Sequence, residues 1–105
     1  MDKRAIRIDE GDNVAVVAQS VGKSDQVLIV EKKESITALD DINTGHKIAI
    51  APIAKGELIM KYGIPIGRAT QDIATGNWVH VHNVEDITEE LCNRYTKEYR
   101  ERGKQ

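Results

Sequence analysis

A five-residue segment occurs twice in this chain. Asp41-Ile42-Asn43-Thr44-Gly45 returns as Asp72-Ile73-Ala74-Thr75-Gly76, and each copy leads into an apolar pair, Ile48 and Ile50 or Val79 and Val81. A shorter version, Ile53-Ala54-Lys55-Gly56, leads into Leu58-Ile59. The pattern predicts a repeated β-corner, in which the Ile anchors in a core and the Gly supplies the positive φ of a tight turn into the next strand. A chain that turns this often has little room for long helices. Short β-branched runs bounded by turn residues agree, and strands are expected at Val14–Ala18, Val27–Val30, Ile36–Leu39, Lys47–Ile50, Glu57–Lys61 and Trp78–Val84. Phe is absent, so the core has to be built mostly from Ile, Val and Leu.

The tail follows another period. Asp86 is placed to cap a helix, with Glu89 as the reciprocal partner of a capping box. Ile87, Leu91, Tyr95 and Tyr99 form an apolar stripe, Glu90 and Arg94 an i,i+4 pair, and Gly103 a stop. The expectation is a β domain over residues 1–85 and a helix over 86–102 that packs on that domain or on a partner, since so short a helix is marginal alone.

Charge and composition exclude several functions. Fifteen Lys and Arg against seventeen Asp and Glu leave a net charge of −2, so no basic footprint for nucleic acid is expected. No apolar run is long enough to span a bilayer, and Met1-Asp2-Lys3-Arg4 is not followed by the apolar stretch of a signal peptide. A lone Cys92, read as a packing residue of the helix, fits a reducing cytoplasm.

All three histidines lie between His46 and Asn83. On a strand, His80 and His82 project to one face about 7 Å apart, with Val79 and Val81 on the other. That is either a solvent-facing polar row or a pair of ligands for a metal or an anion, and spacing alone favours the polar row. Lys61-Tyr62-Gly63 before Ile64-Pro65-Ile66-Gly67 suggests a rigid turn offering a cation and a phenol to an acidic guest, or else an ordinary hairpin with an exposed lysine. No nucleophile–base pair, phosphate loop or dinucleotide fingerprint is present.

Taken together and in order, the runs Gly45-His46-Lys47, Lys61-Tyr62-Gly63, Ile66-Gly67-Arg68-Ala69-Thr70 and His80-Val81-His82-Asn83 resemble the altronate dehydratase family. The likeness is to the small module shared by altronate dehydratase, galactarate dehydratase and the small subunit of sulfolactate sulfo-lyase, and it covers roughly residues 5–84. That resemblance implies a mainly β, SAF-type β-clip domain of short strands followed by the C-terminal α-helix. It implies the small subunit of a cytoplasmic lyase that removes water from a sugar acid such as altronate or galactarate, or sulfite from a related sulfo-acid. Such a subunit would be inactive without a large catalytic subunit, and self-association into a homo-oligomer is a further possibility. A divalent metal, iron or manganese, is implied in the assembled enzyme. Carried onto this sequence, His46, His80 and His82 become candidate catalytic residues, with His80 and His82 as candidate metal ligands. Lys61, Tyr62 and Asn83 become candidates for holding substrate. The rival implication is a non-catalytic SAF module that binds a carbohydrate or sugar acid. A third reading is an adaptor that docks another protein through the helix stripe.

Overall fold

Why the chain turns where it does is visible in the computed structural model, which describes residues 3–91 and residue 93. Among the described residues nine strands run in order: β1 (Lys3–Ile6), β2 (Val14–Val17), β3 (Gln26–Ile29), β4 (Glu34–Thr37), β5 (Lys47–Ala49), β6 (Leu58–Lys61), β7 (Ile64–Ala69), β8 (Trp78–Val79) and β9 (Val84–Glu85). They form a six-stranded sheet, β4-β3-β1-β2-β5-β8, and a three-stranded sheet, β6-β7-β9. The domain is mainly β, as the sequence implies.

The repeated corner is present four times. Beside Ile42–His46, Ile53–Glu57 and Ile73–Asn77, a fourth copy runs over Val21–Asp25. The fourth position of each has positive φ: Ser24 at 79°, Gly45 at 85°, Gly56 at 91° and Gly76 at 96°. Its N–H donates across to a strand or loop carbonyl, of Ala38, Val17, Ala69 and Ala49 respectively, at 2.8–2.9 Å. The corners pair through isolated bridges, Val21 with Ile42 and Ile53 with Ile73. The Asp that opens each long copy braces the opposite corner, Asp41 accepting from Lys23 N–H at 2.8 Å and Asp72 from Lys55 N–H at 2.9 Å. Sequence repetition thus becomes two back-to-back corner pairs, each with its anchors in a core: Val21 and Ile42 in one, Ile53 and Ile73 in the other.

Those two cores are aliphatic. One holds Ala5, Ala15, Val17, Val27, Ile29 and Ile48 with Trp78 packed against it; the other holds Val14, Ala49, Ile59, Ala69 and Val79. Adjacent residues of β2 and β5 serve opposite cores because successive side chains of a strand alternate in direction.

Two strands fall outside the expected set and one expectation is corrected. β1 was absent from the sequence reading, yet it lies in the middle of the large sheet, antiparallel to β2 and parallel to β3. Only Ala5 of its four residues is buried, so its sequence carries almost no apolar signal. β7 is the second arm of the hairpin, the alternative reading of residues 61–67, and extends through Pro65 and Gly67; its pairing with β6 shifts register between Ile59 and Met60, which accommodates the proline. Trp78–Val84 is not one strand but β8, a turn over 80–83 and β9. Val81 is consequently 80% exposed instead of facing the core with Val79.

Asp86 caps the tail as expected, its Oδ1 accepting the Thr88 N–H at 2.8 Å, and helix runs over 88–91 and at 93; the expected reciprocal bond with Glu89 does not form. Ile87 is buried, and Arg68 on β7 pairs with Glu90 at 3.0 Å, so the start of the helix sits against the small sheet. Cys92, Arg94, Tyr95, Tyr99 and Gly103 lie outside the described residues. No helix of the described residues is long and apolar enough to cross a membrane.

Candidate functional site

Three of the four corners close on themselves. The fifth-position side chain accepts the second-position N–H: Asp25 from Gly22 at 2.8 Å, Glu57 from Ala54 at 3.1 Å and Asn77 from Ala74 at 2.8 Å. In the remaining corner the fifth position is His46, and its ring is used elsewhere. Its Nδ1 accepts a hydrogen bond from Trp78 Nε1–H at 3.2 Å. Local rules tend to be broken at functional sites, and this corner breaks one.

Around Trp78 the three imidazoles gather. Its ring lies 5.8 Å from His46, 5.0 Å from His80 in a nearly parallel stack, and 4.8 Å from His82; His46 and His80 are 4.9 Å apart. Trp78 itself is fixed at its backbone, where Asp40 Oδ2 accepts the Trp78 N–H at 2.8 Å and the Asn77 amide at 3.1 Å. So the structure brings His46, His80 and His82 together, but through a tryptophan and a turn instead of a common strand face.

Asn83 makes that turn. It is 2% exposed; its Oδ1 accepts the His80 N–H at 2.9 Å and its Nδ2 donates to the Trp78 carbonyl at 2.8 Å. Both ends of the amide are engaged by the backbone, so Asn83 holds the turn that carries His80 and His82; the resemblance implied a substrate contact for it. Lys61 and Tyr62 sit at the β6–β7 hairpin. Tyr62 and Gly63 both have positive φ, 57° and 75°, as a two-residue type I′ turn requires, and Lys61 Nζ lies 4.7 Å above the Tyr62 ring.

The electrostatics are one-sided. Burial pushes the His80 imidazole below its ordinary value, and His46, Lys47 and His82 add to the effect, so the charged form of His80 is disfavoured. Burial also lowers Lys47, helped by the charge of Lys61. Lys61 is thus near enough to act on Lys47, and Lys47 on His80, which sets a strip of basic groups at Lys61, Lys47 and the imidazoles. A metal fits this strip poorly: His46 Nδ1 is occupied, the charges felt by His80 are positive, and no group of three or more His, Cys, Asp or Glu able to hold an ion occurs among the described residues. Anions suit it better. Beside it lies a cavity of about 250 Å³, lined by Lys47, Ile66, His80, Val81, Val84, Glu85 and Asp86. Lys47 and Trp78 were missed as site residues; the signals were the Gly45-His46-Lys47 run and a lone Trp beside a corner.

Residues 3–87 match the family of altronate/galactarate dehydratase SAF domains. The chain belongs to that family. This SAF domain is 42% identical over 81 residues to the altronate dehydratase of Bacillus subtilis (strain 168), covering 77% of this chain and 16% of that protein. It is 37% identical over 97 residues to the altronate dehydratase of Escherichia coli (strain K12), covering 91% of this chain and 19% of that protein. It is also 37% identical over 81 residues to the (2R)-sulfolactate sulfo-lyase subunit alpha of Chromohalobacter salexigens, covering 72% of this chain and 86% of that one. The SAF domain thus spans less than a fifth of the dehydratases it matches and most of a protein named as a subunit.

One consequence concerns the proton on His46. With Nδ1 accepting from the indole, a neutral His46 carries its proton on Nε2 and presents a donor outward. Trp78→Phe keeps a ring in place and removes the donor. Nitrogen-detected NMR of the imidazoles is expected to show His46 shifting from one tautomer to a mixture, with about 1 kcal/mol lost in stability. An unchanged tautomer would mean that the Trp78 contact does not set it.

Proposed function

We propose that this SAF domain is the small part of a hydro-lyase acting on a sugar acid such as altronate or galactarate, completed by a larger catalytic chain. Removal of sulfite from a sulfo-acid is the variant that the sulfo-lyase relative suggests. The carrying observation is the diversion of His46 from its corner into the cluster with Trp78, His80 and His82. A fold that uses the fifth position as a turn brace three times and gives it up once has kept that imidazole for something other than stability.

Dehydration of a 2,3-dihydroxy acid breaks the C–H bond next to the carboxylate, forms a carbon–carbon double bond and expels the neighbouring hydroxyl as water. It needs a cationic or hydrogen-bonding seat for the carboxylate, a base and a proton donor for the departing oxygen. The strip of Lys61, Lys47 and imidazoles supplies the seat. His80, whose charged form is disfavoured, can accept a proton, and His46 can offer its Nε2–H as a hydrogen bond to the departing oxygen. These residues do not form a complete catalytic set, and the donor chemistry described above does not make a metal centre.

The test is reconstitution with a large dehydratase chain encoded in the same genome. Turnover of altronate or galactarate is expected only in the complex. His80→Ala with His82→Ala should lower kcat about 100-fold while the two chains still co-elute. Retained kcat with a raised KM would instead favour a substrate-binding module, and turnover by the SAF domain alone would overturn the need for a partner.

A further inference from the structure

We infer that Lys47 binds the carboxylate of a small polyhydroxy acid in the cavity between β5 and the 80–86 segment. The inference rests on the reading of this chain as part of a sugar-acid lyase, which supplies the class of guest and already places Lys47 at its carboxylate; what it adds is the cavity. Three titratable groups besides Lys47 line the cavity: His80, Glu85 and Asp86. Glu85 is offset by an arginine, while Asp86 keeps its charge as it caps the helix. Glu85 pairs with Arg68 at 3.5 Å, and Asp86 Oδ1 accepts the Thr88 N–H to cap the helix.

Lys47 has no such partner. It is half-buried at the edge of β5, between Val16 on β2 and Val79 on β8. Among the described residues no carboxylate lies within ion-pair distance of it. A lysine held among apolar side chains and near a second lysine is in a position that an anion would relieve on both counts. Ile66, Val81 and Val84 supply apolar wall, and His80 supplies a hydrogen-bonding group beside the cation. At about 250 Å³ the space is below the roughly 300–1,000 Å³ of drug-sized sites, which suits a metabolite of a few carbons.

The experiment uses the whole chain and D-gluconate as probe, followed by NMR of the Lys47 side chain and the His80 ring, with sorbitol as the uncharged control. Saturable shifts at both residues are expected with gluconate and none with sorbitol. Lys47→Met should weaken the affinity about 10-fold or more, while Lys47→Arg, which keeps the charge, should largely retain it. A dispersed spectrum of Lys47→Met shows that the fold survives. No saturable shift in the natural chain, equal shifts with sorbitol, or unaltered affinity in Lys47→Met would each overturn the inference. Failure here with normal turnover of the reconstituted Lys47→Met complex would remove the Lys47 site and leave the lyase reading standing. Loss of turnover in every reconstitution, with gluconate binding intact, would do the opposite.

Discussion

Gly76→Ala is expected to destabilise the domain by about 3–4 kcal/mol, while Gly45→Ala at the equivalent corner position costs about 1 kcal/mol. Both glycines have positive φ, 96° and 85°, where an L side chain costs about 1–2 kcal/mol. They differ in surroundings. A Cβ on Gly45 meets nothing within 4 Å, whereas one on Gly76 falls onto the Thr37 carbonyl oxygen and comes within 3.3 Å of Leu39. Thr37 and Leu39 flank buried Ala38, so the backbone there has no direction in which to retreat, and overpacking adds about 1–3 kcal/mol. Against a total stability of roughly 5–15 kcal/mol, the first change removes a large share and the second a small one. Urea denaturation of both variants reads the difference directly. Equal midpoints would show that φ alone matters and that the close approach of the corner to the 37–39 segment is dispensable.

That comparison also explains how far the sequence could be read. Three corners were legible because Gly marks the positive-φ position and Ile the anchor. The fourth, Val21–Asp25, was not, because Ser24 takes the left-handed position at 79° and Val21 replaces Ile. Its own compensation is local: Asp25 braces Gly22, and the Ser24 N–H bonds to Ala38. β1 escaped for a different reason. A strand whose neighbours on both sides supply the apolar surface needs only Ala5 to fit between them, and its Lys3, Arg4 and Ile6 remain half-buried or exposed. Periodicity reports burial, and β1 is central in hydrogen bonding without contributing much buried surface.

Among the site residues, the three imidazoles could be grouped from sequence, but their geometry could not. Strand alternation put His80 and His82 on one face through a strand that does not exist. What holds them is Asn83, whose amide closes the 80–83 turn, and Trp78, on which His80 stacks and His82 leans. Neither role leaves a periodic trace. An Asn buried in a turn and a Trp half-buried at a strand end act through specific hydrogen bonds and ring contacts, which composition and spacing do not encode. Likewise, His46 carries meaning only beside Asp25, Glu57 and Asn77, once four equivalent corners show what a fifth-position side chain ordinarily does.

Asp12→Ala is expected to cost about 2–3 kcal/mol at neutral pH and to loosen the hairpin that carries Lys61 and Tyr62. Asp12 is 7% exposed, and its carboxylate accepts the N–H groups of Asp9 at 3.1 Å, Tyr62 at 2.9 Å and Gly63 at 2.8 Å. Those bonds tie the β1–β2 loop to the tip of the β6–β7 hairpin, and so one sheet to the other. Asn13 adds a second tie through Leu58 and Met60, which is why the hairpin should loosen without detaching. Truncation strands backbone donors that were satisfied by a charged acceptor, the costly half of a hydrogen-bond deletion. Burial pushes the Asp12 carboxyl upward, but the backbone donors outweigh it and hold the group below its ordinary 3.8. A carboxyl with a depressed folded value contributes its stability above the unfolded value and loses it as pH falls through the folded one. The stability gap between natural chain and variant should therefore be widest and constant above about pH 4, then narrow as acid protonates the natural carboxylate. Urea midpoints of both proteins from pH 7 to pH 2 measure that gap and cancel the other carboxylates, which titrate in each. A gap that stays constant through pH 2 would mean that the charge of Asp12 is not what anchors the hairpin, and that Lys61 is held in reach of Lys47 by Asn13 and the β6–β7 ladder alone.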